Sequence, residues 1–265
     1  MQELIRNGKN EVVKQNSAGD LEYLTFPELE RLECVKHLFS TRTGGVSRGI
    51  YSSMNLSFTR GDEESAVLEN FRRIAEVLGA EPSQIVCSDQ THTTNVRVVT
   101  RADMGKGVTR PRDYMDVDGL ITNEKGIVLA TFYADCVPLY FVDPVKEVIG
   151  LSHSGWKGTV GGIGRETVSR MQQEYGCRPE DIYAAIGPSI CRECYEVSRD
   201  VSEAFEKAFT ENEFLNTNHA YEEIISYRDE AQKAEGKCQL DLHLANQWIL
   251  KSAGILPEHI SVTDV

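Results

Sequence analysis

Residues 127–154 read IVLATFYADCVPLYFVDPVKEVIGLSHS, and this stretch decides the fold. Residues 127–133 and 137–142 are nearly continuous apolar runs rich in β-branched and aromatic side chains, which predicts strands buried on both faces. Val148–Ser152 predicts a third strand. Downstream, a glycine-rich turn leads into a helix over 163–175, with Ile163, Thr167, Met171 and Tyr175 on one face and Gly176 as its stop. A strand over Ile182–Ile186, a turn at Gly187-Pro188 and a helix over Ser198–Phe209 follow. Residues 211–236 are polar and weakly patterned and predict a surface insertion with some helix. A helix over 241–253 and a strand over Ile260–Val262 come last, leaving either an open sheet edge or a place for a further element.

Working upstream, residues 11–26 predict a hairpin turning at Asn16–Asp20. Asp62 predicts the N-cap of a helix carrying Val67, Phe71, Ile74 and Leu78 and ended by Gly79. Ile85–Cys87 and Val96–Thr100 are β-rich, with a polar turn containing His92 between them. No repeat, low-complexity tract or linker interrupts the chain. The pattern predicts a mixed α+β fold of the α/β kind, a single domain over 1–265 with mixed β-sheets flanked by helices.

With 28 Lys and Arg against 41 Asp and Glu, the chain carries a net charge of -13. Such a surface repels phosphate backbones, so no nucleic-acid partner is expected and a small polar substrate is easier to accept. The basic concentration Arg97–Arg112, broken by Asp103 and followed by Asp113, reads as a solvated loop. No segment is apolar enough for a signal peptide or a membrane span. Seven scattered cysteines suit reduced thiols, so the expected compartment is cytoplasmic. A monomer or small homo-oligomer is expected.

Three metal-ligand side chains stand beside the predicted strands. His92 lies in the polar turn, Cys136 interrupts the apolar run, and His153 follows Val148–Ser152. Zinc accepts imidazole nitrogen and thiolate sulfur, and three protein ligands leave a fourth position open. Their separations of 44 and 17 residues match no local zinc motif, so each has a plain alternative, a packed cysteine or a surface histidine. Asp135 favours a site, because a carboxylate inside an apolar strand is costly unless paired. A second reading makes Cys136 a hydrolase nucleophile with His153 as its base. Ser40–Ser47 (STRTGGVS) combines hydroxyls, Arg42 and two glycines, suited to holding phosphate or simply to a hairpin turn. Gly155–Gly164 matches neither the phosphate-loop nor the dinucleotide pattern, and Cys191-Arg192-Glu193-Cys194 is a lone CxxC.

Taken in order, STRTGGVS at 40–47, GIYSSMNL at 49–56, QTH at 90–92, DGLIT at 118–122, ADCVP at 134–138, HSGWKG at 153–158, and GPSI at 187–190 with YEV at 195–197 resemble the YfiH-like laccase-domain family. Its members are known as multicopper polyphenol oxidases and, by reassignment, as purine nucleoside phosphorylases. The resemblance implies that His92, Cys136 and His153 bind a metal, zinc or possibly copper. It implies phosphorolysis of adenosine, inosine and methylthioadenosine, with adenosine deamination at the same site. On that basis Cys136, His153, Arg42 and Asp135 are the expected catalytic residues, Arg42 holding phosphate and Asp135 moving protons. Asn55, Gln90 and Asp118 are the expected substrate-positioning residues. Nucleoside and phosphate are then the small-molecule partners. A copper oxidase and a non-catalytic metal-binding protein stay as alternatives. Lys157 stands where the family often has Arg, which keeps charge but loses the bidentate fork.

Overall fold

The computed structural model describes residues 4–6, 11–211 and 220–265. Its centre is a six-stranded mixed sheet in the order Ile260–Val262, Tyr183–Ile186, Val137–Asp143, Val148–Ser154, Gly119–Thr122, Val96–Val98. The two outer pairs are parallel and the inner pairings antiparallel. Val137–Asp143 is buried at every position, as its apolar run predicts. Val137, Leu139 and Phe141 face one core with Ile163, Met171 and Ile249 of the helices Ile163–Tyr175 and Leu242–Ser252. Tyr140 and Val142 face the other, under Leu24, Phe26 and Leu29 of the N-terminal region. This alternation sends successive side chains into different cores and explains the lack of polar residues over 137–142.

The predicted hairpin forms from Lys14–Ala18 and Leu21–Thr25, but its turn is only Gly19 and Asp20, because Asn16–Ala18 stay in the ladder rather than in the turn. The helix Glu64–Leu78 packs Val67, Phe71 and Ala75 on Ile85 and Cys87, and Gly79 ends it at φ 72°. Its N-cap is Glu63 rather than Asp62, whose carboxylate accepts Asn55 Nδ2 at 2.9 Å and the Glu63 amide. The helices Arg199–Thr210 and Leu242–Ser252 and the edge strand Ile260–Val262 lie where the periodicity puts them.

Four expectations change. The first apolar run makes only a short strand, Val128–Ala130, which pairs in parallel with Ile85–Cys87 in a separate two-stranded sheet. Past Ala130 the chain leaves the ladder because side chains, not backbone, hold it. The glycine-rich passage contains a helix, Trp156–Val160, entered from Gly155. Its glycines supply room: a Cβ on Gly161 would lie 2.7 Å from Thr94 Cγ2. The basic run is solvated only in part: Arg101 and Arg110 are exposed, but Lys106 is buried between Asp103 and Asp113, each 2.7 Å away, and Arg97 joins Asp103. Of the predicted insertion, residues 212–219 lie outside the described residues. The rest is not purely surface, for Ile224 and Gln232 are buried. No helix among the described residues is long and apolar enough to cross a membrane.

Candidate metal centre

Two chain segments diverge from the parallel pair Ile85–Cys87 and Val128–Ala130 and carry two of the ligands. Ser88 N–H donates to Ala130 O as the last backbone rung. Beyond it the Gln90 carboxamide takes over, accepting Phe132 N–H at 2.7 Å and donating to Phe132 O at 2.6 Å. His92 then lies two residues past Gln90, and Cys136 four past Phe132. His153 comes from inside the central strand Val148–Ser154, one residue beyond the predicted span.

One buried carboxylate joins these segments. Asp118 is fully buried, and its Oδ2 accepts Thr91 N, Thr93 N and Thr93 Oγ1. Its Oδ1 accepts His92 N at 3.1 Å and lies 2.7 Å from His153 Nδ1, which donates to it. The turn so formed holds His92 at φ 66°, a left-handed conformation uncommon outside glycine. Burial alone would raise the Asp118 pKa, but the bonds from His153 and Thr93 hold it below the usual carboxylate range. Burial works against protonated His153, yet Asp118 and the nearby Cys136 sulfur carry it up to about 9.

With Nδ1 of His153 committed to Asp118, its Nε2 is the atom left for an ion. That is the usual carboxylate–histidine support of a metal ligand. His92, Cys136 and His153 bring one ligand atom each within 4.8 Å of one another. Cys136 Sγ is 3.9 Å from His92 Nε2, and the two imidazole rings meet edge-on at 4.9 Å. Zinc bonds of about 2.0–2.3 Å put ligand atoms within about 4 Å of each other; the Cys136–His92 pair at 3.9 Å meets that spacing, and two nitrogens and a sulfur are a donor set that suits such an ion. Among the described residues this is the one cluster of three or more candidate ligands. His37 is held near pKa 4 by burial, and its neutral Nε2 accepts Phe26 N–H. His243 bonds Ser189, and His259 stacks on Tyr183. Burial pushes the Cys87 thiol up to about 12, as suits a packing cysteine.

Gly155 forms the floor of the cluster. A Cβ there would stand 2.7 Å from His92 Cδ2 and 3.0 Å from Cys136 Sγ, although its φ of -72° suits any residue. Gly155→Ala therefore acts by crowding alone. Zinc affinity in a chelator competition titration should fall at least about tenfold, and stability in urea by about 1–3 kcal/mol, the usual cost of overpacking. Parental zinc affinity in this variant would show that the three ligands do not converge over Gly155.

The other predicted site residues divide into two groups. Arg42 lines a cavity of about 1490 Å³ that reaches Gln90, Tyr133 and Ala134 beside Cys136. Asp135 is exposed and outside any strand, so the burial cost expected for it does not arise; its carbonyl accepts Ile190 N–H. Gln90 and Asp118 spend their polar atoms on the protein itself. Asn55 accepts Ser57 N–H and donates to Asp62 and Ser57 O, closing its own loop. The amides expected to cradle phosphate in Ser40–Ser47 are also engaged: Thr43 bonds Thr41, Gly45 and Ser47 bond Ser53, and Val46 bonds Asn70. These glycines let two chain segments touch, a Cβ on Gly45 falling 2.0 Å from Ser53 O. Gly155 and the pairing of Gln90 with Phe132 had no sequence signal beyond their place in the motifs.

Residues 36–265 match the family model described as multi-copper polyphenol oxidoreductase laccase. The chain belongs to that family. It is similar to purine nucleoside phosphorylase YlmD of Bacillus subtilis, 40% identical over 85% of this chain and 76% of that protein. It is also similar to adenosine deaminase RL5 of an unknown prokaryotic organism, 36% identical over 86% and 84% of the two chains. Among solved structures, hypothetical protein YfiH of Bacillus licheniformis superposes with a TM-score of 0.82 at 31% identity, covering 94% of this chain and 86% of that one. Like the phosphorylase and the deaminase, the chain is an enzyme.

Proposed function

We propose that residues 1–265 act as one unit, a cytoplasmic zinc enzyme of purine nucleosides. It cleaves adenosine, inosine and S-methyl-5'-thioadenosine with phosphate to free base and ribose 1-phosphate, and it deaminates adenosine. The observation that carries this reading is the convergence of His92, Cys136 and His153, next to Tyr133, whose ring lies 5.7 Å from that of His153 and which lines the cavity that also holds Arg42. Relatives that bear both activities in their names support it. Seven free cysteines suit a reducing compartment.

A bound zinc would supply a Lewis acid and an activated water near neutral pH. Arg42 would hold phosphate against the ribose and offset charge as the glycosidic bond breaks. Asp135, exposed beside Cys136, would carry protons between substrate and solvent. We assign Asp118, Gln90 and Asn55 to positioning, because each spends its polar atoms on the loops that bear the other residues. A thiolate ligand also suits copper, but a single three-ligand cluster among the described residues favours one ion over a multicopper array.

One observation favours a second reading. Cys136, His153 and Asp118 lie in the order of a nucleophile, a base and its orienting acid. Incubating the protein with adenosine and phosphate, with and without chelator, separates the two. The metalloenzyme should release adenine, hypoxanthine or inosine, lose at least about 100-fold of that rate to chelation, and regain it with zinc. Full turnover in chelator, abolished by iodoacetamide, would establish the thiol hydrolase instead.

A further inference from the structure

We infer that Cys191 and Cys194 are a redox-active thiol pair, which exchanges with small disulfides of the glutathione class and closes to an internal bond. The reaction needs neither the metal nor a nucleoside, so it stands apart from the function proposed above.

The seven cysteines differ in what surrounds them. Cys87, Cys177 and Cys238 are buried, Cys136 belongs to the metal cluster, and Cys34 lines the large cavity. Cys191 and Cys194 alone stand three residues apart, on the two sides of the 3-10 turn Arg192–Cys194. Cys191 O accepts both Cys194 N and Tyr195 N at 3.1 Å. A turn closed this way keeps its first and fourth Cα atoms within about 7 Å, and a disulfide spans about 4.4–6.8 Å between Cα atoms. The side chains meet as well: hydrogen bonding with the Cys194 thiol, and burial after it, push the Cys191 thiol up.

The turn is clamped at both ends and in the middle. Ile190 N–H donates to Asp135 O at 3.0 Å, and Tyr195 O accepts Leu240 N–H at 3.0 Å. Arg192, between the two cysteines, reaches Asp241 and Glu223 O, each at 2.8 Å. Closing the bond therefore asks for side-chain rotation and leaves the backbone in place.

Cys194 is exposed and Cys191 half-buried, so Cys194 meets the oxidant first. Its thiolate attacks one sulfur of the small disulfide, whose S–S bond breaks and expels a thiolate. The Cys191 thiolate then attacks the Cys194 sulfur of the mixed disulfide and expels the second. Two electrons pass from the protein to the small disulfide, and the two protons leave on the released thiols. In a reducing compartment such a bond is transient, open until small disulfides accumulate.

Incubating the zinc-loaded protein with glutathione disulfide, then denaturing and alkylating it for mass spectrometry, tests this. The parent should carry two fewer alkyl groups than its reduced form. Trypsin cuts after Arg192, so the peptides holding Cys191 and Cys194 should stay joined until dithiothreitol parts them. The joined peptides should vanish in Cys191→Ser and in Cys194→Ser, the former stopping at a glutathione adduct on Cys194. Cys34→Ser is the control and should match the parent. Serine keeps the size of each side chain, and a circular dichroism spectrum like the parent's shows that each variant has folded. A parent that keeps all its thiols, or that stops at the Cys194 adduct, would overturn the pair. So would joined peptides that survive in Cys191→Ser. A second equivalent of zinc bound by the parent and lost in Cys191→Ser would make the two thiols a metal site instead.

Discussion

Cys136→Ala should leave a folded protein with neither phosphorolysis nor deamination and with little bound zinc. Cys136 is half-exposed, so its removal opens no large cavity, and the central strand Val137–Asp143 begins only after it. The loss falls on the metal: two imidazoles remain where the site needs a third, anionic donor to offset the ion's charge. Turnover should drop by at least about 1,000-fold, the order by which a metal-generated nucleophile outruns unassisted water. Metal content by mass spectrometry after dialysis should fall with it, while the urea midpoint of the metal-free forms stays close to the parent. Retained turnover at full rate would remove Cys136 from the chemistry. Zinc retained without turnover would make it a nucleophile rather than a ligand.

Asp118→Ala should be the most damaging change away from the ion. Alanine there strands Thr91 N–H, His92 N–H, Thr93 N–H and the Thr93 hydroxyl, and it frees the His153 ring from its 2.7 Å anchor. Removing one partner of such a buried network costs about 3–5 kcal/mol. Loss of a metal ligand's outer support costs about 10- to 100-fold in metal affinity. Denaturation in urea and a zinc competition titration measure the two separately. A residue that only touched substrate would raise KM and leave zinc affinity alone, so an unchanged zinc titration would return Asp118 to substrate contact.

Much of this architecture is legible in the chain because apolar periodicity and glycine stops are local signals. Val137–Asp143 announces itself through six apolar residues in a row, and Gly79 and Gly176 end their helices in the left-handed conformation. The three ligands are legible through the motifs around them, though nothing in their spacing shows that they meet. What stayed hidden is set by partners far along the chain. Asp118 reads as a substrate contact until its oxygens are seen to be taken by residues 91–93 and 153. Asp62 has every local mark of a helix cap, and Asn55 claims it. The strand expected over 127–133 stops at Ala130 because Gln90, 42 residues earlier, bonds the next stretch of chain through its side chain.

That last contact reaches beyond one misjudged boundary. A glutamine carboxamide is chemically a peptide unit on a two-carbon stalk, so Gln90 stitches one more rung between segments whose main chains have already parted. The seam stays closed at its base while the two free ends splay, one presenting an imidazole and the other a thiol. His92 and Cys136 are therefore held like the jaws of tweezers, with their common hinge built from a single side chain.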